Sequence, residues 1–91
     1  MITRQGDQYR IEGAVTMANL NAVMAEGLQQ FQGDTVTVDL SAVGEVDSSA
    51  VSLLLQWRRD AQQRHQQLQF TNLPANLVSL AKLYGVLELL Q

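Results

Sequence analysis

The sequence predicts a single α/β domain, over residues 1–91, in which helices pack on one mixed β-sheet. Three observations lead to this fold class. The chain of 91 residues is 46% hydrophobic and 16% charged, which supplies one packed core. Strand and helix patterns alternate, as they do in parallel sheets with crossover helices. The turn pair Gly6-Asp7 separates the first two strand patterns and indicates an antiparallel hairpin, so a mixed sheet is expected.

The N-terminal third is predicted to form this hairpin and then a helix. Residues 2–4 and 8–12 are the two strands, and the second alternates apolar with polar residues like a half-buried strand. Apolar residues recur at three- and four-residue steps over residues 20–31, which is typical of an amphipathic helix. Thr16 is the expected N-cap of this helix, and Gly33-Asp34 is expected to end it.

The middle of the chain carries the clearest strand and the longest helix. Residues 35–40 alternate valine or leucine with threonine or aspartate, so one side of this strand is predicted to be buried. A loop is expected to continue from there to Asp47. Residues 48–63 then predict a helix with one apolar side, formed by Ala50, Leu53, Leu54, Trp57 and Ala61.

The C-terminal third predicts one more strand and a third helix. Residues 68–70 alternate apolar with polar side chains, as a strand does. Pro74 suits the first turn of a helix over residues 75–84, and Gly85 is a typical left-handed stop. Residues 86–90 form a short apolar tail, either helix or strand.

Composition and charge argue against several classes of function. The net charge of -3 and the pI of about 4.8 disfavour nucleic acid as a partner, since phosphate binding needs a basic surface. The chain has no cysteine and one histidine, His65, so neither a Cys-based nor a His-cluster metal site is expected. No cofactor is expected either. No segment is apolar for long enough to insert in a membrane, and the N-terminus lacks the apolar core of a signal peptide. A cytoplasmic location is therefore expected.

The main candidate site is the step Asp47-Ser48-Ser49 at the start of the second helix. Asp and Ser at a helix start satisfy free backbone N–H groups, so capping alone explains these residues. The same backbone donors would tolerate a phosphate on Ser48. A serine nucleophile needs a positioned base, but His65 lies beyond the other end of this helix. The glycines form no nucleotide-binding loop, and an enzyme is not expected.

Two other regions leave alternatives open. Trp57 is either a core residue or, if it is exposed beside Arg58, an anchor for another protein. Lys82 lies near the end of the third helix, where the helix dipole favours a cation. Tyr84 either covers the core or presents its hydroxyl group to a partner.

Residues 38–50, with the sequence VDLSAVGEVDSSA, resemble the signature of STAS domains, the fold of sulfate-transporter and anti-sigma-factor-antagonist domains. The resemblance covers nearly the whole chain. It implies a mixed sheet of four or five strands with helices packed on one side. In this family the hydroxyl residue directly after the aspartate is the regulatory position and is often phosphorylated, which corresponds to Ser48. Ala50 stands where the family usually has glycine.

Residues 80–86, with the sequence LAKLYGV, are similar to the MlaB family, the STAS subunits of phospholipid-transporting ABC systems in Gram-negative bacteria. This resemblance implies a noncatalytic accessory subunit that binds the cytoplasmic ATPase subunit (MlaF-like) of a complex with a membrane permease. Such a subunit is peripheral to the inner membrane, does not itself insert in it, and serves outer-membrane lipid asymmetry. The expected contact or regulatory residues are Asp47, Ser48, Ser49, Val51, Ser52, Lys82 and Tyr84. The alternative is an anti-sigma-factor antagonist that is regulated by phosphorylation of Ser48.

Overall fold

The structure is a computed structural model that describes residues 1–90. Strands and helices follow one another as β1 (Ile2–Gln5), β2 (Gln8–Ile11), β3 (Gly13–Val15), α1 (Leu20–Gln30), β4 (Thr35–Asp39), β5 (Val43–Val46), α2 (Ser48–Gln63), β6 (Gln67–Thr71), α3 (Ala75–Leu83) and α4 (Leu87–Leu90).

The main sheet is mixed, as predicted. Its four strands lie in the order β1-β2-β4-β6. The β1–β2 hairpin is antiparallel, whereas β2 pairs with β4 and β4 pairs with β6 in parallel. A second pair, β3 with β5, is also parallel. The fold class inferred from the sequence is therefore confirmed.

One face of the main sheet is buried under the helices. Strand side chains alternate between the two faces. Those on the inner face are buried with the apolar sides of the helices in one core cluster, and they include Tyr9, Ile11, Val36, Val38 and Phe70. The opposite face carries polar side chains, where Arg10 Nε lies 3.6 Å from Asp39 Oδ2.

The predicted apolar side of α2 is buried, and Trp57 is a core residue. Trp57 is only 1% exposed, so the alternative of an exposed anchor at this position is wrong. Its ring meets Phe31 edge to face at a centroid distance of 4.9 Å, and Phe31 meets Tyr9 in the same way at 4.9 Å. Gly27 of α1 lies directly against the Trp57 ring, which brings the two helices close together.

The N-terminal boundary of α1 differs from the prediction. Thr16 does not cap this helix; Asn19 is the residue before its first turn. Thr16 instead closes a short turn, because its carbonyl oxygen accepts from Asn19 N at 3.1 Å and its hydroxyl oxygen accepts from Ala18 N at 3.3 Å. The residues 16–19 are called the Met17 turn below. The helix also ends at Gln30, before Gly33.

Two strands were missing from the prediction. Part of the segment that was expected to be a loop up to Asp47 is β5, and the residues after the hairpin form β3. Both strands are short, and each is completed only by pairing with the other across the fold. The glycine stop after α3 is confirmed, since Gly85 has φ 70°, and the apolar tail contains the helix α4.

Candidate functional site

The carboxylate of Asp47 caps α2. Asp47 has extended backbone angles, and its Oδ1 accepts a hydrogen bond from Ser49 N at 2.8 Å. Its carbonyl oxygen accepts from Ala50 N at 3.0 Å. A negative charge at this end also complements the helix dipole. The local sequence therefore explains why α2 begins at Ser48.

The second oxygen of Asp47 reaches a distant part of the chain. Asp47 Oδ2 accepts a hydrogen bond from Met17 N at 2.9 Å, so one carboxylate joins the start of α2 to the Met17 turn. The hydrogen bond from Met17 N is the largest cause that holds the pKa of Asp47 below its ordinary value, and the bond from Ser49 N acts in the same direction. The charged carboxylate of Asp47 thus helps to hold the Met17 turn against the start of α2.

The four predicted residues that lie within α2 itself divide into two pairs. Ser48 and Ser52 are exposed one helical turn apart, so they form the outer surface of this end of α2. Ser49 and Val51 are each only 4% exposed and pack inward. Ser49 and Val51, which were expected to belong to the contact surface, therefore support that surface from beneath.

Sequence reasoning missed Met17. Its side chain is 73% exposed, and its Sδ lies 3.7 Å from Ser49 Oγ, beside the start of α2. No helical or strand periodicity includes Met17, because it lies in a turn. Its position depends on the long-range hydrogen bond to Asp47, which local sequence does not encode.

Lys82 and Tyr84 are exposed at the C-terminal end of α3. The N-terminal end of α3 lies near β5, where Asn76 Nδ2 donates to the Gly44 carbonyl oxygen at 3.0 Å. Tyr84 is 53% exposed at the C-cap of α3, so it does not cover the core. Within residues 1–90 no hydrogen bond or ion pair joins Lys82 or Tyr84 to the start of α2. They remain a separate candidate contact.

The surroundings of Ser48 do not resemble a hydrolase site. His65 follows the far end of α2, which places it roughly 25 Å from Ser48 along the helix at 1.5 Å per residue. That separation excludes proton transfer between the two side chains. In the part of the chain that the structure describes, no three His, Cys, Asp or Glu side chains are grouped so that they could hold a metal ion. None of the helices described over residues 1–90 combines the length and the apolar character needed to cross a membrane.

Comparison with known proteins identifies the family. A family model described as "Mlab, STAS domain" matches residues 2–91. The chain belongs to the STAS domain family. No curated protein sequence matches this STAS domain.

Several solved structures share the fold. The anti-sigma factor antagonist SpoIIAA in its unphosphorylated form has a TM-score of 0.74 at 15% identity, with 97% of this STAS domain and 82% of that chain covered. A sulfate transporter family protein from Wolinella succinogenes has a TM-score of 0.72 at 15% identity, with 92% and 70% covered. Mglu has a TM-score of 0.64 at 19% identity over 82% of this domain, which spans only 20% of the Mglu chain. Because the identities are this low, these likenesses concern the fold alone.

Titration of Asp47 is expected to be visible at Met17. The pKa of Asp47 is lowered in the folded chain, so its carboxylate stabilises the folded state at pH values above the unfolded pKa of about 3.9. This stabilisation is lost as the pH falls through the lower pKa of the folded state. We therefore expect the backbone amide NMR signals of Met17 and Ser49 to shift together, with a midpoint below about 3.9. Asp39, whose pKa is also lowered, first by the hydrogen bond from Ser41 N, supplies an internal comparison at the Ser41 amide. If the Met17 amide signal does not shift over this pH range, the hydrogen bond from Met17 N to the Asp47 carboxylate is contradicted.

Proposed function

We propose that this STAS domain is a noncatalytic accessory subunit of a phospholipid-transporting ABC complex of the Mla type. It binds the cytoplasmic MlaF-like ATPase subunit and supports its assembly and activity. The observation that carries the proposal is the match of residues 2–91 to the family model described as "Mlab, STAS domain". In this role the domain is cytoplasmic and reaches the inner membrane only through its partner, beside the permease.

The surface at the start of α2 suits close contact with a protein. Ser48 and Ser52 are small and exposed, so a partner can approach the helix backbone closely. The helix beneath them is held by buried Leu53, Leu54 and Trp57. A partner therefore meets a surface whose position is already set in the free subunit, which lowers the ordering cost of binding.

Copurification from the native cells tests this proposal. The tagged chain is solubilised with its complexes in a mild detergent, and the bound proteins are identified by mass spectrometry. We expect an ABC ATPase together with its permease. An untagged strain is the control for nonspecific capture. Recovery of neither subunit, from cells shown to express both, would contradict the proposal.

The second candidate is an anti-sigma-factor antagonist, and the exposed hydroxyl group of Ser48 favours it. Ser48 is the first residue of α2, where an enzyme can reach it. A phosphate would add a charge of about -2 beside the Asp47 carboxylate, whose two oxygens already bind Ser49 N and Met17 N. The resulting repulsion would disturb this surface and release a bound partner.

Under this second function, the cognate kinase and ATP are expected to add one phosphoryl group to the chain. Intact-mass spectrometry measures the product, and Ser48→Ala should stay unmodified. If the wild-type mass is unchanged while the kinase phosphorylates a control substrate, the second function is rejected.

A further inference from the structure

We infer that Met17 is the main apolar anchor of the partner interface, and that it fits an apolar pocket rimmed by hydrogen-bond donors on the ATPase subunit. This inference rests on the proposed function and deepens it. It assigns the strongest contact to the Met17 turn, outside the helix that carries the family signature.

The Met17 side chain is a large apolar group that lies mostly outside the core. It is 73% exposed, whereas Met24 of α1 packs against the core cluster. Methionine is enriched in protein interfaces, and a few desolvated side chains near the centre of an interface supply much of the binding energy. An unbranched thioether also adapts its shape to the pocket that receives it.

The backbone of the Met17 turn is held on both sides. Asn19 Oδ1 accepts from Thr16 N at 3.0 Å, and Asn19 Nδ2 donates to the Ala14 carbonyl oxygen at 2.7 Å. Met17 N donates to Asp47 Oδ2 at 2.9 Å. An anchor on a prearranged turn loses little conformational entropy on binding, so more of its apolar contact appears as affinity.

The same bonds place Met17 next to the proposed ATPase surface. Asp47 holds both the Met17 turn and the first turn of α2, and Met17 Sδ lies 3.7 Å from Ser49 Oγ. A partner that covers Ser48 therefore also meets Met17. The surface combines an apolar side chain with serine hydroxyl groups.

The charge at this surface indicates the chemistry of the rim. The ion pair found within residues 1–90 joins Arg10 to Asp39, and Asp47 has no cation within ion-pair distance there. The carboxylate keeps its negative charge and further acceptor positions after binding two N–H groups. Backbone N–H groups around the partner's pocket would complement it by donating to these free acceptor positions.

Affinity measurements with the purified ATPase subunit test the anchor. We expect Met17→Gln to raise the Kd at least tenfold, because a polar amide would enter the apolar pocket, and Met17→Leu to keep most of the affinity. Leu28→Gln is the matched control: Leu28 is 38% exposed, and its carbonyl oxygen lies 3.5 Å from Arg64 Nη1, at the far end of α2. Circular dichroism melting curves should show that all variants fold.

The possible outcomes separate the two proposals. Weakening by both Met17→Gln and Ser48→Glu, with Leu28→Gln unchanged, supports the anchor. Wild-type affinity of Met17→Gln alongside weak binding of Ser48→Glu overturns the anchor and leaves the proposed function standing. Equal weakening by Leu28→Gln also overturns the anchor, because the effect would not be local. If the wild-type chain does not bind the ATPase, the proposed function fails and the anchor fails with it.

Discussion

Replacing Ser48 with glutamate is expected to weaken binding of the ATPase subunit at least tenfold. Ser48 is exposed at the first position of α2, directly after the Asp47 carboxylate. Glutamate adds both bulk and a second negative charge at the point where we propose that the partner approaches. Like charges and unpaired charges at an interface are strongly unfavourable once water is excluded.

The same substitution should leave the fold intact. A carboxylate in the first turn of a helix interacts favourably with the helix dipole, and the Ser48 side chain is not buried. The thermal midpoint should therefore stay close to that of the wild type. A loss of binding can then be attributed to the surface itself.

Two comparisons make this test specific. Ser48→Ala keeps the position small and neutral and should bind like the wild type, if close approach is what the position provides. Affinity is measured by calorimetry with the purified ATPase subunit. If Ser48→Glu binds with wild-type affinity, the interface does not include the start of α2.

Replacing Gly27 with alanine is expected to destabilise the fold by about 2 kcal/mol or more. A Cβ atom at position 27 would lie 2.5 Å from Cζ2, 2.6 Å from Cε2 and 2.8 Å from Nε1 of Trp57. The Trp57 ring is 1% exposed and is held edge to face against Phe31, so it has little room to move. The two helices would have to separate.

Helix propensity acts in the opposite direction but is the smaller effect. Alanine in place of glycine in a helix interior gains about 1 kcal/mol. Overpacking of a well-packed core costs about 1–3 kcal/mol and occasionally more. Because the added Cβ atom would contact three atoms of a confined ring, we expect an overpacking cost at the upper end of this range. For a domain of this size we expect the melting temperature to fall by roughly 10 °C.

Gly44→Ala is the matched control for this prediction. Gly44 is exposed in β5, and a Cβ atom there would have nothing within 4 Å. Its stability should change by less than about 0.5 kcal/mol. Trp57→Phe removes the atoms nearest to Gly27, so Gly27→Ala should cost less in that background. A melting temperature for Gly27→Ala at or above that of the wild type would contradict this tight contact between α1 and α2.

Elements with local signals were predicted well. The predicted start of α2 is confirmed, because an aspartate followed by serines caps a helix through hydrogen bonds to the adjacent backbone, which do not depend on distant residues. The buried side of α2 follows from helical periodicity alone. Gly85 ended α3 for a similarly local reason, since glycine adopts a positive φ without strain.

Elements that depend on long-range contacts were missed or misplaced. Strands β3 and β5 are short and are completed by each other, although α1 and β4 separate them in the chain. Thr16 had the right residue type for an N-cap, yet its hydrogen bonds close the Met17 turn instead. The sequence also left Trp57 undecided between core and surface, because that choice depends on where Gly27 and Phe31 lie.

The sequence by itself determined the α/β class, the family likeness and the position of Ser48 at a helix start. Each of these rests on neighbouring residues or on regular spacing along the chain. Only the tertiary structure decided which residues around Ser48 reach the surface. It buried Ser49 and Val51, and it placed Met17 beside α2 through the second oxygen of Asp47. The local sequence predicts the hydrogen bond of Asp47 with Ser49 N, because these residues are neighbours in the chain. The hydrogen bond with Met17 N joins residues that are far apart in the sequence, so only the folded chain shows it.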